Sequence, residues 1–303
     1  MFYAQHRVSL LQSESCCESR IKKVGQPVGY AERMSTASLS PEIQTLRAVY
    51  DAQLREEAEM MSADAFDRAG PLWRGTFGNR GFVSYRSLDG LAGQALEGLI
   101  AQTIAHYAAD PQIAFFEWKT RGHDAPADLT QRLRAHGLHA DDPETVMLGE
   151  ARRLDQPVHL PAGVTLRRID DQAQPYPDVV RAVRAQELAF GRPFEADNFM
   201  RHMEQSAGRA ELWVAETSEE VVCVGRLEVI PNTECAGLWG GGTLPGWRGR
   251  GIYRALTAAR ARSALQRGVR YLHSDCTEFS RPILERSGLI PVTTSTPYLW
   301  RRA

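Results

Sequence analysis

The chain has 303 residues, room for two domains of ordinary size, and its 36 basic and 37 acidic side chains leave a formal net charge of −1. That balance provides no global field for capturing nucleic acid or an anionic membrane, and no apolar run reaches the length of a membrane-spanning helix. The five cysteines (Cys16, Cys17, Cys223, Cys235 and Cys276) are odd in number and lack metal-ligand spacing, so composition predicts a reducing, cytoplasmic setting with no bound metal.

Residues 1–35 show no periodicity, and the apolar run from Val8 to Leu11 is cut off by Gln12, Ser13 and Glu14 too early for a signal peptide. The expectation is a disordered tail, or upstream sequence before a true start at Met34. Residues 40–61 then read as a helix. Ser40 is its N-cap, Pro41 its first position, and Ile43, Leu46, Val49, Tyr50 and Leu54 recur at helical spacing. A strand is expected at 81–85, a helix at 91–108, a strand at 113–118, a helix opening at Asp124-x-Pro126, and a strand near 146–148.

A polar stretch with Pro157, Pro161 and Gly163 marks a join, and residues 164–169 alternate like a first strand. Helices at 179–190 and 194–205 follow, then strands at 211–216, 221–227 and 238–244. A turn rich in glycine and arginine leads into a helix closed by Gly268, then a strand at 269–276 and a short helix from Ser280-x-Pro282 to Gly288-Leu289. The same order occurs in front: strand, helix, strand, then a helix with proline two residues after its cap, ending in Gly137-Leu138. The chain therefore reads as an α/β protein (mixed α+β sheet) in tandem, a front unit over 36–155 and a second over 164–303.

The turn itself is Leu244-Pro245-Gly246-Trp247-Arg248-Gly249-Arg250-Gly251-Ile252-Tyr253. A glycine turn feeding a helix gathers backbone N–H groups and a helix N-terminus at one place, which makes a cradle for phosphate. Neither a Gly-x-x-x-x-Gly-Lys-Ser/Thr nor a Gly-x-Gly-x-x-Gly opening a βαβ unit is present, which disfavours a nucleotide-binding loop. The Pro-x-Trp-Arg-Gly-x-Gly-Ile run, with its flanking strand, helix, strand and short helix over about sixty residues, resembles the cofactor loop of the GCN5-related N-acetyltransferases (GNAT). Tyr253 departs from the family's Arg/Gln-x-x-Gly-x-Gly/Ala at its last position. In front, Arg86-Ser87-Leu88-Asp89-Gly90-Leu91 has no such loop, so the resemblance there is to a degenerate copy without the cofactor site.

The resemblance implies acetyl-CoA as co-substrate, no metal, and a primary amine of a small molecule or an exposed amino group as acceptor, reached by direct transfer through a tetrahedral intermediate. It implies no nucleic-acid or membrane partner, and leaves monomer against homodimer open. Backbone amides at Gly242, Thr243 and Leu244 would polarise the thioester carbonyl, those from Arg248, Gly249, Arg250, Gly251, Ile252 and Tyr253 would take the phosphates, and Ser280 would face the pantetheine arm or cap its helix. Leu284 stands where many members place an acidic tyrosine, so either the thiolate leaves unaided or another acid serves, with Tyr298, Cys276 and Tyr253 as the candidates. Glu228, Glu234 and Asp275 are the candidate bases, with His273 read as structural. The alternative is a non-catalytic acyl-CoA-binding sensor on the same fold.

Overall fold

The computed structural model describes residues 39–169, 175–278 and 280–302. The tail expected over 1–35, with Met34, lies outside them. Helix α1 (Pro41–Gln53) begins where Ser40 Oγ accepts the Ile43 N–H at 3.4 Å and Pro41 takes the first turn. It is shorter than the periodicity suggests. Beyond Leu54 the chain turns through Glu56 (φ 59°) into a 3₁₀ turn, Glu56–Met60, which carries Glu59 inward.

Three antiparallel strands follow, β1 (Ala65–Ala69), β2 (Leu72–Phe77) and β3 (Arg80–Ser84), joined by the two-residue turns Gly70-Pro71 and Gly78-Asn79. Helix α2 (Gly93–Ala109) crosses to β4 (Phe115–Arg121), which runs parallel to β3. Helix α3 (Leu129–Ala135) starts later than the Asp124-x-Pro126 cap predicts. The reason is that the Asp124 carboxylate is taken by the Arg121 N–H (2.7 Å), the Tyr85 hydroxyl (2.5 Å) and Arg55 Nη2 (2.9 Å). Short β5 (His139–Ala140), β6 (Glu144–Glu150) and α4 (Ala151–Leu154) complete the front half.

The second half begins with β7 (Thr165–Ile169), α5 (Tyr176–Phe190), α6 (Ala196–Gln205), β8 (Ala210–Glu216), β9 (Val221–Val229) and β10 (Cys235–Thr243). A 3₁₀ turn (Pro245–Trp247) leads to α7 (Ile252–Gln266), β11 (Tyr271–Cys276), α8 (Arg281–Ser287) and β12 (Ile290–Arg301).

All of this is one mixed sheet, in the order β1-β2-β3-β4-β12-β6-β11-β10-β9-β8-β7, with β5 on β12. The expected mixed α/β architecture and the rhyme between halves are both present. Each half has one parallel pair bridged by a helix, β3–α2–β4 in front and β10–α7–β11 behind. The halves also trade strands: β12 lies between β4 and β6, and β6 lies beside β11. One apolar cluster, with Trp118, Leu96, Ile100 and Tyr107, fills the front half. Others pack α7 and α8, α5 and α6, and α1 against the second half's strands, with β6 of the front half shared in the clusters under α1 and α7.

Candidate functional site

Strands β10 and β11 pair over only three positions, from Cys235↔Tyr271 to Gly237↔His273. Beyond them both strands continue, β10 to Thr243 and β11 to Cys276, without pairing to each other. A cleft of about 1140 Å³ opens at this parting. The loop 248–254 and Ser280, Ile283 and Arg286 line one part of it, while Glu144, Arg226, Trp239 and Asp275 line another. The corresponding place in front is filled, because Tyr85 and Leu88 are buried against the core and the Tyr85 ring lies 6.1 Å from that of Trp118.

The loop has the geometry its glycines require. Gly249 (φ 76°) and Gly251 (φ 79°) are left-handed, a conformation that costs a side-chain-bearing residue. Gly251 is the cap residue of α7 and supplies no side chain, so the leading N–H groups of a four-turn helix are left for an outside acceptor. Arg248 does not stand free. Its Nε donates to Thr243 O (3.0 Å) and its Nη2 to Ala189 O (2.9 Å), tying the loop to β10 and α5. Arg250 stacks on Trp247 at 4.9 Å, and exposed Arg254 and Arg286 add positive charge at the cleft. The departure at Tyr253 has a packing reason. The ring lies against β10 so closely that a Cβ on Gly241 would sit 2.7 Å from its hydroxyl.

Among the amides expected to face a thioester, the Leu244 N–H is committed to Val222 O (2.9 Å). Antiparallel alternation then turns the Thr243 N–H away from β9, toward the gap, and the Gly242 N–H back toward β9. Ser280 precedes α8 but makes no side-chain cap; its hydroxyl donates to Thr277 O (3.3 Å).

The candidate acids and bases separate. Asp275 lines the cleft at 3% exposure, its Oδ2 2.7 Å from Lys119 Nζ, which also reaches Glu59 Oε1 at 3.2 Å. Asp275 Oδ1 has no hydrogen-bond partner among the described residues. Glu228 does not line the cleft. It is buried with His202 Nε2 at 3.2 Å and Arg226 Nε at 3.4 Å; burial alone would raise its pKa, but these two partners hold it far below the carboxylate range. Tyr298 is also elsewhere, buried in the front core beneath Arg134. Glu234 is exposed and bonded to Gln53. Leu284 is buried core, and burial together with the Asp275 charge pushes the Cys276 thiol up to about 12. His273 packs edge-on to Trp239 at 4.9 Å, and burial lowers it to about 4, so it is neutral.

Glu144, which the motif reading does not single out, lines the cleft from the front half. Burial, and then the charge of Asp275, push its carboxyl up to about 8. The one signal in sequence is a carboxylate opening a strand, which any surface acid imitates.

Residues 177–286 match the model of the acetyltransferase (GNAT) family. No curated protein matches the sequence. Solved structures share the fold at low identity. A GCN5-related N-acetyltransferase from Kribbella flavida superposes with TM-score 0.62 at 14% identity, covering 88% of this chain and 98% of its own. One from Sphaerobacter thermophilus gives 0.57 at 18%, covering 76% of each chain. A tandem GNAT protein from the clavulanic acid biosynthesis pathway gives 0.55 at 14%, covering 89% of this chain and 92% of its own.

Proposed function

Residues 177–286 belong to the acetyltransferase (GNAT) family, and from that premise we propose that the protein moves an acetyl group from acetyl-CoA to a primary amine of a small molecule or to an exposed amino group. The observation that carries this reading is the uncapped start of α7, with its two left-handed glycines, opening on the cleft where β10 and β11 part. Backbone donors and a helix N-terminus there suit a pyrophosphate. The cleft exceeds the roughly 300–1,000 Å³ of a single small-molecule pocket, so there is room for a second substrate beside the first. The Thr243 N–H is the amide that would meet the thioester oxygen as charge develops on it.

Calorimetry with acetyl-CoA tests the reading. Wild type should bind, and the Gly249→Glu, Gly251→Glu double variant should lose at least ~10² in affinity, since it sets charge and bulk in the cradle. It should still unfold cooperatively, at a melting temperature lowered by the strain of two left-handed positions. A wild type that does not bind acetyl-CoA removes the reading. A second reading, an acyl-CoA-binding sensor without catalysis, is favoured by Leu284, Glu228 and Tyr298 all lying in cores away from the cleft. Release of free CoA in the presence of amines, followed with a thiol reagent, separates the two.

A further inference from the structure

On the reading of the cleft as an acetyl-transfer site, we propose that Glu144 of the front half accepts the proton of the incoming ammonium, which Asp275 Oδ1 orients.

The sheet register brings the two carboxyls together. Val146 is directly opposite Asp275, and Thr145 is opposite Cys276. Glu144, two positions from Val146, therefore shares a face with Asp275 and is its diagonal neighbour. Both line the cleft. The two carboxyls are not equivalent. Asp275 has a cation of its own, Lys119 at 2.7 Å, whereas no cation lies within salt-bridge distance of Glu144 among the described residues. Asp275 thus has one oxygen engaged, while the other, Oδ1, is buried and has no hydrogen-bond partner among the described residues; the residue itself lines the cleft. A positively charged amine supplies the donor that oxygen lacks.

Proton transfer then falls to the carboxyl whose affinity suits it. The groups that act on Glu144 are Asp275 on β11, Glu117 and Lys119 on β4, and Asp141 ahead of β6. Burial comes first and the three acids reinforce it, while Lys119 opposes, and the net result is a carboxyl at about 8. Such a group is a far stronger base than an ordinary glutamate and is half ionised at about pH 8.

The step balances as follows. The ammonium gives one proton to the Glu144 carboxylate, and the freed nitrogen lone pair forms the C–N bond to the thioester carbonyl. The C–S bond breaks with its electron pair on sulfur. The second nitrogen proton passes to that sulfur, giving amide and CoA thiol, and Glu144 returns its proton to solvent.

The test uses the full chain, wild type against Glu144→Gln and Glu144→Asp. The probes are acetyl-CoA, 2-phenylethylamine and spermidine, with free CoA detected by a thiol reagent. Acetyl-CoA affinity by calorimetry should be the same within about twofold, while kcat/KM for the amine falls by about 10²–10⁴ in Glu144→Gln and partly recovers in Glu144→Asp. The wild-type rate should rise with pH to a plateau above about 8, where Glu144 is ionised, and the plateau should vanish in Glu144→Gln. In ¹³C-glutamate-labelled protein, one carboxyl resonance should titrate near the same pH and be missing from the variant. The proposal is overturned if that carboxyl titrates in the ordinary carboxylate range. Full activity of Glu144→Gln overturns it as well. So does a wild type that binds acetyl-CoA but transfers to neither amine, and that result leaves the cofactor reading intact. Failure of wild type to bind acetyl-CoA instead strikes the reading beneath it.

Discussion

Glu59 joins three elements through its carboxylate. Arg121 Nη2 lies 2.7 Å from both its oxygens, Lys119 Nζ is 3.2 Å away, and the Ser84 hydroxyl donates to it. Burial would raise its pKa, but Arg121 and Lys119 outweigh that and hold it at about 2 against an ordinary 4.5. Its contribution to stability is therefore complete above pH 4.5 and is lost as pH falls from there through about 2. Glu59→Gln should cost about 3 kcal/mol at pH 7, a difference that shrinks toward zero near pH 2; urea unfolding at both pH values measures it. Little of this was legible in the chain. Glu56, Glu57 and Glu59 read as the polar end of a helix, and only the φ of 59° at Glu56 ends α1 early and swings Glu59 inward. Glu144 was illegible for a related reason, since its character comes from Asp275, Lys119 and Glu117, each distant in sequence.

The strand–loop–helix β10–loop–α7 was the most legible element. Its glycines, its proline and the apolar spacing of α7 state the local geometry, and the structure follows them within a few residues. What spacing could not state is the fit between the two elements. Tyr253 occupies the space a Cβ on Gly241 would need. Gly241→Ala should destabilise by about 1–3 kcal/mol in wild type and by much less with Tyr253→Ala, a coupling that a double-mutant cycle in thermal unfolding reads directly. Elements without strong patterning were missed. Strand β1 is exposed at four of its five positions, so no alternation marks it, although the Gly78-Asn79 turn between β2 and β3 was a usable hairpin signal. Strand β12 holds Pro291, Pro297 and a run of threonines and serine, in which no apolar alternation marks a strand. It pairs nonetheless, with a register shift between Pro291 and Thr293.

Across the molecule the strand order is nearly a mirror about the β12/β6 pair, with β4 against β11 and β3 against β10 on either side. Each half closes the other's sheet, so neither owns a complete set of central strands. Residues 39–155 and 156–302 expressed separately should show no cooperative unfolding, while the two co-expressed should co-purify and melt in one transition; independent folding of either fragment would contradict this. The exchange also imposes an order in time. Strand β6 is finished at Glu150, but β12, the ribbon that must slide between it and β4, ends at Arg301. At about 5–20 residues per second, roughly eight to thirty seconds of translation separate the two. Until β11 and β12 are made, β6 has neither of its partners and β4 keeps one naked edge, an invitation to pair with a neighbouring polysome product. Yield from a host should therefore depend on chaperone occupancy and elongation speed more than on the stability of the finished sheet.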